Sequence, residues 1–338
     1  MTASKRMLYV GCALSGELYS AYLDDETGKL ELVSHRRLPG LREPGGAMPL
    51  CLTRDRSTLY AVSRGEPFFV ARFGIDAEGA LTHQENTPLD TNLAYIETST
   101  DDTHLLCASF IDHHVSTHLI DEQKRIAPEA SYRQSIEKAH ALCITPGGKS
   151  LLGTSLGKDV IYQWTPSSER TPGELLEGAS VTQLALEAGT GPRHIACHPT
   201  QPVAYVIGEH NGTLSVVRYG EHSLALLQTA HLAEQPEPFQ AADVHLTPDG
   251  RFLYASEKAT STLHLFTIAP DASITFRHRF PTENRPRGFA ITADGRHLIA
   301  AGQFSHHIAS YRIDPESGHL TLVDRLPVGQ SPDWIEIA

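Results

Sequence analysis

One phrase recurs along almost the whole chain, and a recurrence of this kind constrains the fold before any single element is assigned. It consists of small or special residues, an alternating apolar run, a polar turn, and then Leu-Tyr-Ala or a close variant. The copies are MPLCLTRDRSTLYAVS from Met48, AYIETSTDDTHLLCAS from Ala94, HALCITPGGKSLLGTS from His140, RHIACHPTQPVAYVIGE from Arg193, ADVHLTPDGRFLYASE from Ala242 and RGFAITADGRHLIAAGQ from Arg287. Anchored on Thr53, Ser99, Thr145, His198, Thr247 and Thr292, the successive spacings are 46, 46, 53, 49 and 45 residues. That period suits four short antiparallel strands with their turns. Helical repeats would need apolar residues at i, i+3 and i+4, whereas these segments alternate and break at Pro-Asp-Gly or Asp-Gly turns.

The ends of the sequence complement each other. SPDWIEIA supplies the first half of a seventh phrase, and MLYVGCA near the N-terminus supplies what should follow it. Six internal phrases and this split one predict an all-β, seven-bladed β-propeller with four antiparallel strands per blade. The N-terminal strand completes the last blade and so pairs edges that would otherwise stay open. The expected organisation is a single domain over residues 1–338.

In such a ring, phrase-equivalent positions of the innermost strands encircle one axis. Five residues before the anchor stand Met48, Ala94, His140, Arg193, Ala242, Arg287 and Asp333; four before it stand Pro49, Tyr95, Ala141, His194, Asp243, Gly288 and Trp334. Two before it, Glu97 and His245 interrupt a mostly apolar or small set. Closing the axis needs only small or apolar side chains, so the polar ones require partners or water. Their types suit acid/base work and anion binding. Glu209, Lys258, Lys158 and Arg64 follow the inner-strand turn at similar offsets, which predicts one pocket face carrying several cations.

A local cationic cluster would matter because the whole chain is acidic, with 40 Asp and Glu against 28 Lys and Arg and a net charge of −12. Nucleic acid and anionic membrane surfaces are therefore poor partners. No apolar stretch approaches the roughly 20 residues of a membrane-spanning helix. The five scattered cysteines form no C-x-x-C pair, and no secretory leader is evident, so the expectation is a reduced cytoplasm with cysteines used as core residues. Among 19 histidines, DHH at Asp112–His114 and SHH at Ser305–His307 lack a zinc-type spacing, and the expectation is that no metal is bound. No nucleophile elbow, Walker loop or dinucleotide fingerprint occurs, and no cofactor is expected.

At these residues the chain resembles the bacterial propeller-type 6-phosphogluconolactonase family, which includes carboxy-muconate lactonising enzymes. The resemblance runs end to end and is carried most specifically by GPRHIACHP, VIGEHNGTLSV, ADVHLTPDGRFLYASE, RPRGFAI and AGQFSHHIASY. It implies lactone chemistry without a required metal in a cytoplasmic enzyme. It also implies that His140, Arg193, Glu209 and Arg287 form the active site. Tyr95 departs from the family, whose members often carry His there, and ASFIDHH is a less polar turn than usual.

The expected reaction is hydrolysis of a small anionic sugar δ-lactone, 6-phosphogluconolactone foremost. His140, Arg193 and Glu209 would be catalytic, with either His140 or Glu209 as the base. Arg287, His194, Asp243, His245, Lys258, Arg64 and Lys158 would contact substrate. A non-phosphorylated aldono- or aldarolactone, a muconate-type cycloisomerisation and a non-catalytic scaffold are the alternatives. Oligomeric state is not readable from the residues.

Overall fold

The computed structural model describes residues 5–169, 174–232 and 238–338, and the remaining residues of the single-domain expectation lie outside that set. Among the described residues 28 strands form seven four-stranded antiparallel sheets, and no helix occurs. The sheets are blades one to seven in chain order. Their inner strands are Leu50–Leu52, Tyr95–Thr98, Ala139–Ile144, Pro192–Cys197, Ala241–Leu246, Pro286–Ile291 and Pro332–Ile337. The chain is a seven-bladed β-propeller, and blade seven is the split one. Its inner strand pairs with Lys5–Cys12, Leu8 opposite Ile337 and Val10 opposite Ile335.

The recurring phrase has a local physical cause. The anchor hydroxyl of Thr53, Thr145, Thr247 and Thr292 accepts the backbone N–H five residues later at 3.0–3.1 Å. In Thr53, Ser99, Thr247 and Thr292 the same hydroxyl donates to the Asp two residues on. This clamps the turn between the inner and second strands. Where blade four has His198, its Nδ1 takes over, accepting the N–H groups of Thr200 and Gln201 at 3.2 and 3.1 Å.

The Tyr of Leu-Tyr-Ala works between blades. Tyr60, Tyr205, Tyr254 and Tyr9 donate their hydroxyls to the carbonyls of Lys124, Ala272, Gly318 and Gly79, each in an outer turn of the next blade, at 2.6–3.0 Å. Apolar cores lie between neighbouring blades. Along Lys5–Cys12, Met7 and Tyr9 pack with Leu50, Leu59 and Phe73 of blade one. Leu8 and Val10 pack with Ile299 and Ile308 of blade six. Strand alternation thus serves two interfaces at once, which is why these segments read as nearly continuous apolar runs.

Near the axis the backbones come very close. A Cβ on Gly288 would sit 2.4 Å from the carbonyl oxygen of Asp333, and one on Gly11 would sit 2.5 Å from that of Met48. From blade three to blade seven the last two inner-strand residues are partly exposed after a mainly buried start. Solvent therefore reaches the axial channel from the face where the inner strands end.

Candidate active site

Each inner strand starts at the opposite face of the ring, and each second strand returns there. Residues five before and eleven after the anchor therefore converge around one mouth. Arg193, buried at the start of its strand, brings Nε to 3.3 Å from Glu209 Oε2, while Lys258 Nζ lies 2.7 Å from Glu209 Oε1. Arg193 also donates through Nη1 to the Ala242 carbonyl. Arg287 donates to the Gly46 carbonyl at 2.8 Å and stands 3.8 Å from Asp333, whose carboxylate accepts the Met48 N–H at 3.2 Å. Arg64 is held by Asn92 at 2.8 Å and lies over the Phe110 ring. Phe110 meets the His140 ring edge-on at 6.0 Å.

The charge states follow from this packing. Burial pushes His140 well below the usual imidazole range, and Arg193, His194, Arg287 and Arg64 push in the same direction, so His140 is neutral near pH 7. Burial acts to raise Glu209, but Arg193 and Lys258 outweigh it and hold the carboxyl at about 2. Burial, followed by the Arg193 charge, lowers Lys258 to about 8 against the pull of Glu209. Burial alone would neutralise Asp333, and although Arg287 opposes it the group is raised to about 6. A carboxylate held near 2 by two cations is a poor proton acceptor, whereas His140 is uncharged and its buried Nδ1 has no hydrogen-bond partner. Of the two base candidates, the electrostatics favour His140.

Beneath the mouth lies a second tier. His194 Nδ1 and His245 Nε2 flank the Asp243 carboxylate at 2.6 and 3.2 Å. These residues, with Tyr95, Trp334 and Glu336, line a cavity of about 120 Å³. The His140 and His194 rings are 5.2 Å apart. His194, Asp243 and His245 are thus brought together, but below the cationic ring rather than within it.

Lys158 is not brought into the cluster. It pairs with Glu137 at 3.1 Å and is largely exposed. It stands two residues past the offset shared by Arg64, Glu209 and Lys258, where blade three has buried Leu156. Phe110 occupies that same offset in blade two and was missed because an apolar residue advertises no chemistry. Asp333 fell in the first ring but was assigned no role.

In DHH and SHH the first histidine lies in a turn and joins blades, while the second, His114 or His307, opens the strand that follows. His113 and His306, both at positive φ, accept through Nδ1 the N–H groups of Lys138 and Ser331 of the next blade at 3.0 and 3.1 Å. Asp159 and Ser261 stand at the equivalent position with equivalent bonds to Gly191 and Arg285. Among the described residues, no group of three or more His, Cys, Asp or Glu is placed to hold a metal ion. No helix of the described chain is long and apolar enough to cross a membrane.

Residues 7–337 match the family described as lactonase, seven-bladed beta-propeller. Proteins named 6-phosphogluconolactonase from Yersinia enterocolitica and Serratia proteamaculans are each 33% identical, over 338 and 342 residues. Those alignments cover 98% of this chain and 98% or 99% of the relatives. A structure from Bacteroides fragilis superposes with a TM-score of 0.87 at 24% identity, covering 100% of this chain and 99% of that one. The Pseudomonas aeruginosa periplasmic gluconolactonase PpgL superposes at 0.85 and 24% identity, covering 99% of both chains. The chain belongs to the seven-bladed β-propeller lactonase family.

Proposed function

We propose that this protein hydrolyses 6-phospho-D-glucono-1,5-lactone to 6-phosphogluconate without a metal or other cofactor, in the cytoplasm. The observation that carries the reading is a neutral, buried His140 beside Arg193, Arg287 and Arg64, with Lys258 held by Glu209, in a chain of net charge −12. Such a pocket attracts an anion that the rest of the surface repels. The names of the full-length relatives support the phosphorylated sugar lactone as that anion.

In this reading His140 takes a proton from water as its oxygen attacks the acyl carbon, and returns it to the departing ring oxygen. Arg193 stabilises the negative charge that develops on the carbonyl oxygen. Glu209 fixes Arg193 and Lys258 and does not act as the base. Arg287, Arg64 and Lys258 hold the phosphate.

The test is turnover of the phosphorylated and non-phosphorylated gluconolactones, corrected for spontaneous hydrolysis and run with and without chelator. Expected is at least about a tenfold preference in kcat/KM for the phosphorylated substrate, the scale of one charge-assisted contact. Chelator should have no effect. Equal turnover of both lactones overturns the phosphate assignment. His140→Ala and Arg193→Ala should each lower kcat/KM at least about tenfold. Near-wild-type rates in both folded variants overturn the site.

A further inference from the structure

Hydrolysis of a lactone at neutral pH releases a proton. The bond formed joins the water oxygen to the acyl carbon, and the bond broken joins that carbon to the ring oxygen. One water proton goes to the ring oxygen, and the other is left on a carboxylic acid that ionises. That second proton must leave a pocket whose mouth is filled by product and ringed by Arg64, Arg193, Arg287 and Lys258. Each of those cations opposes its passage. His140 cannot retain it, since burial and the nearby arginines disfavour its charged form.

A polar line runs the other way. His140 Nδ1 and His194 Nε2 are both buried without a hydrogen-bond partner, on neighbouring rings whose centroids are 5.2 Å apart. His194 Nδ1 meets Asp243 Oδ1 at 2.6 Å, and Asp243 Oδ2 meets His245 Nε2 at 3.2 Å. The carboxylate is held in place by the N–H groups of Val244 and Phe289, at 2.9 and 3.2 Å. His245 leaves 42% of its side chain exposed, next to the cavity of about 120 Å³ that Glu336 also lines. Beyond it the inner strands end in partly exposed residues.

We propose that His194, Asp243 and His245 form a proton relay that carries the proton released in each turnover from the His140 site down the axial channel to the face opposite the mouth. The proposal rests on the hydrolytic reading above. His194 takes the proton at Nε2 and donates from Nδ1 to Asp243. The carboxyl group passes it to His245 Nε2, and His245 gives up its other ring proton to solvent. Arg193, Tyr95 and Glu336 are the other ionisable groups against this line. Glu336, raised to about 7 by burial, lines the same cavity as His245. These are positioning residues: they act through His140 and touch no reacting atom.

The experiment compares wild type, His245→Gln and Asp243→Asn on 6-phosphogluconolactone in dilute and in concentrated imidazole buffer, with unfolding midpoints measured in parallel. In dilute buffer, kcat of the variants should fall about tenfold while KM changes less than about twofold. Concentrated imidazole, which can enter the open channel and shuttle protons, should restore kcat to within about twofold of wild type. Unchanged kcat in His245→Gln overturns the relay alone. So does a loss that buffer does not repair and that tracks a lowered unfolding midpoint, because the triad is then a structural plug. If the wild type turns over no lactone, the hydrolytic reading fails, and the relay fails with it.

Discussion

Glu209 governs the charge of the pocket from its centre. It neutralises part of Arg193 and Lys258 while remaining ionised down to about pH 2. Lys258, lowered to about 8 by burial and Arg193, is protonated below that pH and uncharged above it. The kcat/KM for an anionic lactone should therefore lose its support as pH rises through about 8. Lys258→Arg should extend the plateau, because guanidinium stays charged there. Glu209→Gln removes the group that raises Lys258 and should move the alkaline limb to lower pH. A pH profile for the three proteins, corrected for spontaneous hydrolysis, checks this; an alkaline limb unchanged in Lys258→Arg would assign it elsewhere. The sequence made His140 and Arg193 visible because they stand where other copies have Met48, Ala94 and Ala242, and Glu209 and Lys258 visible because with Arg64 they share one offset after the inner-strand turn. It could not separate His140 from Glu209 as base, since that choice depends on which groups burial brings within ion-pair reach. Lys158 was misplaced by a two-residue error in turn register, and Phe110 was silent.

At the scale of the element, the blades are joined by side chains that stand at positive φ and accept backbone N–H groups of the next blade. Ser331 is buried, and its N–H is accepted by His306 Nδ1. Removing the acceptor leaves a buried donor unsatisfied, so His306→Ala should cost about 1–3 kcal/mol of unfolding free energy. Urea unfolding would read this as a lower midpoint with an unchanged slope. Asp159, which accepts two N–H groups, should cost at least as much when changed to Ala. Stability unmoved in both variants would show that these turns do not bear on blade packing. These contacts explain why DHH and SHH were legible as a pattern but not as a purpose. Their partners are more than 20 residues away, and only the ring closure brings them together.

The whole ring is closed by Lys5–Cys12 inserted between blades six and one, with Leu8 fully buried. The two tryptophans report from well-separated blades: Trp164 in blade three and Trp334 in blade seven. With every blade held on both sides, unfolding should be a single transition. Variants Trp334→Phe and Trp164→Phe, each leaving one reporter, should give coincident curves. Leu8→Ala should lower both midpoints together, by about 2–5 kcal/mol in free energy. Transitions that separate by reporter would show that blades melt independently. This architecture was the most legible part of the sequence, because the anchor clamp recurs at Thr53, Ser99, Thr145, Thr247 and Thr292 and the Tyr hydroxyl at four blades, so the same few residue types return along the chain.

The tyrosine that reaches into the following blade has one more consequence. Blades one, four, five and seven each carry, in Tyr60, Tyr205, Tyr254 and Tyr9, the donor that secures the outer turn of the blade that follows. Blade five both receives Tyr205 and offers Tyr254, so a copy of it would arrive with both halves of its boundary already written. The channel residues differ from blade to blade even though some of them also serve a seam, as Arg193 does at Ala242 and Asp333 at Met48. Seven copies of one phrase thus surround a pocket walled by His140, Arg193 and Arg287 on some blades and by Ala94 and Ala242 on others.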